Sequence, residues 1–385
     1  MVVGCIKIYL TKQYSMDNKI KCLFFNEKSI PTHNEGSDTN YGCINLKIRT
    51  SLDITNFIKE LGDTQLDEHY DILWINGLDL QNRQNTEYID LFINKINNSV
   101  KSIGTIFFDM QGEGKANKEY FRYFDEFRDR INIKEYKAKI LWTTSKLRKY
   151  KDYDIFYRKG FELTYWFYCR NIKITPFKNP NVRDYFFCFL NGEVNKRTHR
   201  YTMLKKLIDL DGIIKTGLVS NLDTTTDLPY MIATELNDNE NKFASGEDII
   251  RNCYVNLVSE SDDGKDTIGF FITEKSIKPF LFAQFPIFLG KPGLVEHLRE
   301  YGFDMFDDLI DHSYDDIEDI DERTDAVYVE LLKLKTYGGN LQNMVLGRDS
   351  RFLHNYNTYI KLIANSKNIV NEIKNWLIYD EHSII

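Results

Sequence analysis

The sequence predicts an α/β protein of two similar domains, and length, composition and hydrophobic patterning all point to this class. The chain has 385 residues, which suggests two domains at roughly 100–200 residues each. Hydrophobic residues make up 42% and charged residues 28%, a balance that supports a buried core and argues against wholesale disorder. Short apolar runs alternate with helical patterns, and this alternation predicts parallel sheets covered by helices.

The first domain is predicted over residues 1–175. Strands are expected where apolar runs rich in β-branched and aromatic residues occur, namely CIKIYL, KCLFF, YDILWI, SIGTIFFDM and AKILWTT. Helices are expected where apolar residues recur at helical spacing, namely DITNFIKELG, TEYIDLFINKINNSV and KEYFRYFDEFRDRI. The resulting order of strand, helix and strand indicates a parallel sheet.

A second unit follows Pro176–Arg183, which we interpret as the hinge. Its predicted elements are the strand YFFCFL, the helix HRYTMLKKLIDL, a strand and turn in GIIKTGLVS, a helix and strand in GEDIIRNCYVNLVSE, the helix EKSIKPFLFAQ and the strand FPIFLG. We expect this second domain to span residues 183–345. Residues 346–385 are predicted to form helices that pack back toward the first domain.

Composition and the absence of signals exclude several classes of protein. Fifty basic and 57 acidic side chains give a net charge of −7, which does not favour a generic polyanion binder, although a local basic groove is compatible with it. No apolar run approaches the ~18 residues of a membrane span, and the N-terminus lacks signal-peptide features. The six cysteines are scattered without a CxxC pair. We therefore expect a reduced cytoplasmic protein without structural zinc.

Common catalytic motifs are absent from the sequence. No GxGxxG follows the first strand, the GEGK at 112–115 is too short for a P-loop, and neither HExxH nor GxSxG occurs. The acidic run from Asp304 to Glu322 could hold a hard cation. It lacks the glycine turn and alternating ligands of a dedicated site, so we interpret it as a solvated helical face.

The segment from Tyr254 to Gly290 has the pattern of an anion site. A strand ends in Ser-Glu-Ser at 259–261, and Thr273-Glu274-Lys275 then opens a helix. Free N–H groups and the positive dipole end make a helix N-terminus attractive to anions, whereas a lysine there is mildly unfavourable. A bound nucleotide diphosphate would explain Lys275; an ordinary solvent-facing lysine is the alternative.

This segment resembles the C-terminal donor-binding domain of the α1,3-fucosyltransferase family, which are GT-B glycosyltransferases. VNLVSES at 255–261 is similar to the family's F-N-[IL]-A-F-E-N-S, TEK at 273–275 matches its TEK, and FPIFLG at 285–290 is similar to V-P-[IV]-x-x-G. Upstream, FCFLN at 187–191 followed by Arg200 resembles the family's strand, Asn turn and Arg. The resemblance covers about 185–310 and implies two Rossmann-like domains facing each other across a GT-B-like cleft.

The resemblance also implies an activity, the inverting transfer of a sugar from a nucleotide-diphosphate-sugar to a hydroxyl acceptor such as a glycan. It places Arg200 and Lys275 on the donor pyrophosphate, with Arg197 as the alternative to Arg200, and Glu260 on the sugar or ribose. Arg, Lys and a helix N-terminus would serve the leaving group without an obligatory metal or other cofactor. The implied donor-binding set is Asn191, Arg197, Arg200, Asn256, Glu260, Ser261, Thr273, Glu274 and Lys275.

The chain departs from the family pattern at the catalytic base. Thr144-Ser145-Lys146 stands where the family carries its proposed catalytic Glu, so the base must come from elsewhere. Asp109 ends the apolar strand SIGTIFFDM and Glu113 follows in a Gly-containing loop, and ligands of α/β sheets bind at the carboxyl ends of strands. Both are candidates, although Asp109 could instead cap the next element. Because Ser259 and Ser261 replace the family's Phe and Asn, the donor sugar need not be fucose.

Two other functions remain open from the sequence. One is a glycosyltransferase that modifies a hydroxymethylated base in DNA. It would use a basic, aromatic cluster, which we otherwise interpret as solvated surface. The other is a non-catalytic viral binding or structural protein with a degenerate transferase fold. Residues 302–323 resemble a segment of virus-encoded glycosyltransferases, and the Asn/Lys/Ile-rich composition suits a virus- or phage-encoded member located in host cytoplasm. The cluster comprises Lys146, Arg148, Lys149, Lys151, Arg158 and Lys159, with Tyr150, Tyr153 and Tyr157.

Overall fold

The computed structural model describes residues 22–25, 66–76, 86–110, 118–142, 149–170, 174–180, 182–191, 194, 197–209, 212–221, 225–228, 250–264 and 267–379. Within them the chain forms two sheets of mainly parallel strands with helices packed against them. The α/β class predicted from the sequence is confirmed. The predicted elements CIKIYL and DITNFIKELG lie outside the described residues.

The first sheet has six strands in the order β1-β2-β3-β4-β6-β5. Their bounds are β1 Cys22–Phe25, β2 His69–Asn76, β3 Ser102–Asp109, β4 Lys137–Leu141, β5 Lys149–Tyr150 and β6 Tyr153–Ile155. All pairs are parallel except the short antiparallel pair β5–β6. Four of the predicted runs therefore form neighbouring strands in sequence order.

Two helices cover one face of this sheet, α1 (Thr86–Ser99) and α2 (Lys118–Asp129). The strand order advances in one direction from β1 to β4, and right-handed crossovers then place both helices on the same face. Phe92 of α1 and Phe124 of α2 share a buried cluster with Leu73 and Phe108 of the strands. The opposite face, which carries Trp74, packs against other parts of the chain.

The second sheet has four parallel strands in the order β10-β9-β7-β8. Their bounds are β7 Tyr185–Asn191, β8 Gly217–Asn221, β9 Cys253–Ser259 and β10 Phe285–Leu289. The remaining helices are α3 Phe161–Arg170, α4 Thr198–Asp209, α5 Glu274–Leu281, α6 Leu294–Arg299, α7 Ile320–Lys335, α8 Asn340–Leu346, α9 Asp349–Asn365 and α10 Ile369–Tyr379.

The direction of strand order reverses in the middle of the second sheet. From β7 the chain passes through α4 to β8 on one side, and from β9 it passes through α5 to β10 on the other side. Right-handed crossovers in opposite directions put α4 and α5 on opposite faces. The carboxyl ends of β7 and β9 therefore border a crevice, the usual ligand position in open α/β sheets.

The uncovered face of the first sheet packs against helices from the end of the chain. Trp376 of α10 is fully buried, and its ring meets Phe107 at 6.2 Å and Phe156 at 5.4 Å between centroids. The buried ammonium of Lys139 on β4 donates to the backbone carbonyls of Trp376 and Leu377. These contacts merge the core of this face with that of the second sheet.

The acidic run from Asp304 to Glu322 is mostly not helical, which corrects the interpretation as a helical face. Before α7 begins at Ile320, it consists of turns and a 3₁₀ helix over His312–Asp316. Arg351 binds Asp304 and Asp308, and Asp319 accepts from two backbone N–H groups at the start of α7. Aspartates favour caps and turns, so this run builds a loop instead of extending a helix.

Two further properties concern the described residues only. None of their helices is long and apolar enough to cross a membrane. Their His, Cys, Asp and Glu side chains form no group of three that could hold a metal ion.

Trp376→Ala should destabilise the protein by about 3–5 kcal/mol, the cost of deleting a large buried aromatic side chain. Urea unfolding followed by circular dichroism measures this change. Leu353→Ala on α9, where the side chain is exposed, is the control and should change the unfolding free energy by less than about 0.5 kcal/mol. Equal effects of both substitutions would show that α10 does not cover the first sheet in solution.

Candidate functional site

The crevice in the second sheet is bordered by the last residues of β7 and β9, Asn191 and Ser259. The strands pair Phe187 with Val255 and Cys188 with Asn256. Continued to the strand ends, this register sets Asn191 opposite Ser259. Polar residues thus replace the apolar core at the carboxyl edge of the sheet, where the strand order reverses.

The start of α4 anchors the chain that leaves β9. The guanidinium of Arg200 donates from Nη2 to the Ser259 carbonyl oxygen at 3.2 Å and to Ser261 Oγ at 3.3 Å. The guanidinium of Arg197 donates to the Ser261 carbonyl oxygen. Both predicted arginines therefore lie beside the crevice, next to Ser261.

His199, which was not among the predicted site residues, completes this anchor. Its Nε2 lies 2.9 Å from the Glu260 carbonyl oxygen, and burial lowers the pKa of the imidazole to about 4. The neutral ring therefore donates a hydrogen bond to that carbonyl without adding a charge. The only sequence signal was its position beside Arg200.

The Glu260 carboxylate joins β9 to the start of α5. It is 1% exposed and accepts hydrogen bonds from Thr273 N at 3.0 Å, Thr273 Oγ1 at 2.7 Å and Ser276 Oγ at 2.6 Å. A carboxylate at a helix N-terminus is favoured by the helix dipole. Both oxygens are engaged within the protein, and contact of Glu260 with a sugar or ribose stays a prediction.

The TEK sequence forms the beginning of α5 at this same edge. Thr273 is the N-cap, and its Oγ1 accepts from Lys275 N at 3.4 Å and from Lys275 Nζ at 3.2 Å. The Lys275 ammonium lies 3.9 Å from the Glu274 carboxylate, and a quarter of its side chain is exposed. A cation is thus held at the positive end of a helix, where the dipole alone disfavours it.

Asn256 lies deeper than the other predicted residues. It sits three residues before the end of β9, and its Nδ2 donates to Gln284 Oε1 at 2.8 Å. Gln284 in turn donates to the carbonyls of Ile250 and Cys253. The structure therefore brings eight of the nine predicted donor-site residues to the crevice edge and places Asn256 in a hydrogen-bond network between strands.

Two side chains at the crevice are buried without a hydrogen-bond partner among the described residues. They are Asn191, whose Nδ2 and Oδ1 are both unpaired, and Ser259, whose Oγ is unpaired. Their exposed fractions are 2% and 3%. A buried polar group without a partner costs about 1–3 kcal/mol. Ser259 was not among the predicted residues, although a hydroxyl ending an apolar strand is a visible signal.

Asp109 ends β3 in the first sheet and is almost completely buried. Trp74 Nε1 donates to its Oδ2 at 3.0 Å, which fixes the orientation of the carboxyl group. Strand alternation places it on the face that carries Phe107. Glu113, the second candidate base, lies outside the described residues, as does Thr144-Ser145-Lys146.

The described members of the proposed DNA-binding cluster are engaged within the protein. Lys151 pairs with Asp125, Arg158 pairs with Glu372, and the Lys159 ammonium lies 5.6 Å from the centre of the Tyr301 ring. Tyr153 is fully buried. Lys146, Arg148 and the Lys149 side chain lie outside the described residues.

Solved structures similar to this chain include glycosyltransferases. An α1,3-fucosyltransferase has 13% sequence identity and a TM-score of 0.45, covering 94% of this chain and 93% of that chain. A DNA-modifying β-glucosyltransferase has 10% identity and a TM-score of 0.46, covering 93% and 99%. An α1,3-fucosyltransferase with GDP has 13% identity and a TM-score of 0.43, covering 94% of each chain. No protein-family model matches the chain, and no curated protein is significantly similar to it.

Glu260→Ala should lower the unfolding free energy by about 3 kcal/mol or more, because it removes charge-assisted hydrogen bonds of ~1.5–3 kcal/mol each. Urea unfolding of the ligand-free protein measures the loss. Glu318→Ala, which removes an acidic side chain from the loop before α7, is a control expected to change stability by less than about 0.5 kcal/mol. A Glu260→Ala protein as stable as the native one would show that the carboxylate does not hold α5.

Proposed function

We propose that this protein is an inverting glycosyltransferase that transfers a sugar from a nucleotide-diphosphate-sugar to a hydroxyl group. The observation that carries the proposal is the grouping of Arg197, Arg200 and Lys275 around the crevice between β7 and β9. The resemblance of the same residues to the fucosyltransferase donor site supports it.

The charges at the crevice suit a diphosphate. Lys275 adds a positive charge to the dipole end of α5, and both arginines, at the start of α4, bind the residues on either side of Glu260. Lys275 keeps a quarter of its side chain exposed beside Glu274, and charge-assisted hydrogen bonds to phosphate are the strong kind. In the proposed reaction these cations stabilise the negative charge of the departing diphosphate, the task that a divalent ion performs elsewhere.

The unpaired groups of Asn191 and Ser259 suit the neutral part of the donor. An amide and a hydroxyl can donate to and accept from sugar hydroxyls, ribose hydroxyls or the edge of a base. We propose that they contact this uncharged part while the cations bind the phosphates. Their hydrogen bonds would then be completed by the donor.

We propose Asp109 as the catalytic base. Inverting transfer needs a carboxylate that removes the proton of the acceptor hydroxyl while the sugar carbon is attacked from the opposite side to the diphosphate. Asp109 lies at the carboxyl end of a strand of the first sheet and is held by Trp74. We propose a glycan as the acceptor, as the resemblance to the fucosyltransferases implies, with a hydroxymethylated base in DNA as the alternative.

Lys275→Ala and Arg200→Ala should each weaken binding of UDP or GDP by about 1.5–3 kcal/mol, the contribution of one charge-assisted hydrogen bond. Calorimetric titration with both nucleotides measures the affinity. Lys278→Ala removes the same charge from the last turn of α5 and should leave the affinity within about twofold. Failure of the native protein to bind any nucleoside diphosphate, or unchanged affinity in both variants, contradicts the donor site.

Asp109→Asn should lower the turnover number by about 10²–10⁴-fold, the usual contribution of a general base. Asn retains an oxygen that can accept from Trp74, so the fold and the nucleotide affinity should persist. The measurement is release of nucleoside diphosphate from the donor, with a glycan mixture or water as acceptor. A variant that turns over at the native rate rules out Asp109 as the base.

A further inference from the structure

A buried polar cluster joins the first half of the chain to the second. Glu162 of α3 is 2% exposed, and its Oε1 accepts from Tyr301 Oη at 2.5 Å and lies 3.1 Å from His297 Nε2. His297 belongs to α6 and is 1% exposed. The Tyr301 hydroxyl also accepts from Gly160 N at 3.2 Å, just before α3 begins. None of these residues belongs to a site predicted from the sequence.

The cluster continues into the segment that leads to α5. The Phe270 ring stacks on the His297 ring, with centroids 4.5 Å apart and planes 6° from parallel. Lys291 donates to the carbonyls of Thr267 and Gly269, and its ammonium lies 5.5 Å from the centre of the Phe270 ring. The edge of the His297 ring therefore contacts Glu162, and the face of the same ring contacts Phe270.

The segment over residues 267–273 ends at the N-cap of α5, where Thr273 binds Glu260. Its position is set at one end by that carboxylate and in its middle by the stack on His297. A shift of His297 would move Phe270 and, three residues later, the cap that precedes Lys275. The stack therefore links the orientation of His297 to the position of this segment, because packed interiors transmit displacements.

We propose that Glu162 is a positioning residue that, through His297 and Phe270, holds the 267–273 segment and the start of α5 in place for the nucleotide. The substitution of Glu162 removes a buried carboxylate on which a hydroxyl and an imidazole converge, so the groups left behind must find new partners. The contact between the two halves of the chain would then determine how firmly residues 267–273 and the start of α5 are held. The effect on nucleotide affinity rests on the proposed function, whereas the effect on the segment does not.

Hydrogen exchange of the ligand-free protein, read by mass spectrometry, tests the coupling without any ligand. In Glu162→Ala, the amides of residues 267–275 should exchange at least about fivefold faster than in the native protein, as local opening becomes easier. Phe270→Leu keeps the Glu162–His297 contact and removes the stack, so it should speed exchange in the same residues. Phe270→Leu therefore still tests the coupling if Glu162→Ala does not fold.

The matched control is Glu372→Ala, which breaks the Arg158–Glu372 ion pair. That ion pair also joins the region before α3 to a C-terminal helix. Its carboxylate belongs to α10, however, and not to α6. Exchange over 267–275 should stay within about twofold of the native rate in this variant. Equal acceleration in Glu162→Ala and Glu372→Ala, or unchanged exchange in both Glu162→Ala and Phe270→Leu, would overturn the proposal.

Titration with UDP and GDP supplies the second measurement. The dissociation constant of the nucleotide that the native protein binds should rise about five- to tenfold in Glu162→Ala, the lower range of coupling between sites. Glu162→Gln, which keeps an oxygen acceptor for Tyr301, should recover most of the affinity. Unchanged affinity in Glu162→Ala would refute the link to the nucleotide site, whereas a native protein that binds neither nucleotide refutes the proposed function and leaves the exchange test standing.

Discussion

The arrangement of the candidate site depends on one buried carboxylate, that of Glu260. It ties the end of β9 to the first turn of α5 by three hydrogen bonds from Thr273 and Ser276. Helices leave their first N–H groups without partners, and an acid from a neighbouring strand is a strong way to satisfy them. Because His199 and Arg200 bind the backbone beside Glu260, the starts of both helices converge on the same few residues.

A second constraint comes from the strand order of the two sheets. The first sheet is wound in one direction, so α1 and α2 lie together and its other face must be covered from elsewhere in the chain. Trp376 and its neighbours in α10 supply that cover. The second sheet reverses direction between β7 and β9, and only this sheet therefore has an internal crevice among the described strands.

Charge is distributed differently at the crevice and in the acidic loop. At the loop, aspartates such as Asp304 and Asp308 meet Arg351, so opposite charges neutralise each other within the fold. At the crevice, Arg200 binds neutral oxygens, and the Lys275 ammonium lies closest to the Thr273 hydroxyl. The crevice therefore combines these cations with the unpaired buried groups of Asn191 and Ser259, whereas the charges of the acidic loop pair with one another.

Local periodicity and capping were enough to predict the α/β class, most of the described strands and helices, and the polar residues at the ends of β7 and β9. The sequence also indicated that TEK begins a helix. Three features depend on contacts between distant segments and could not be predicted locally: the reversal of strand order, the loop formed by most of the acidic run and the capping role of Glu260. The Glu162–His297 contact joins residues 135 positions apart. No local pattern encodes such a contact, since it arises only when α3 and α6 pack and exclude water from both side chains.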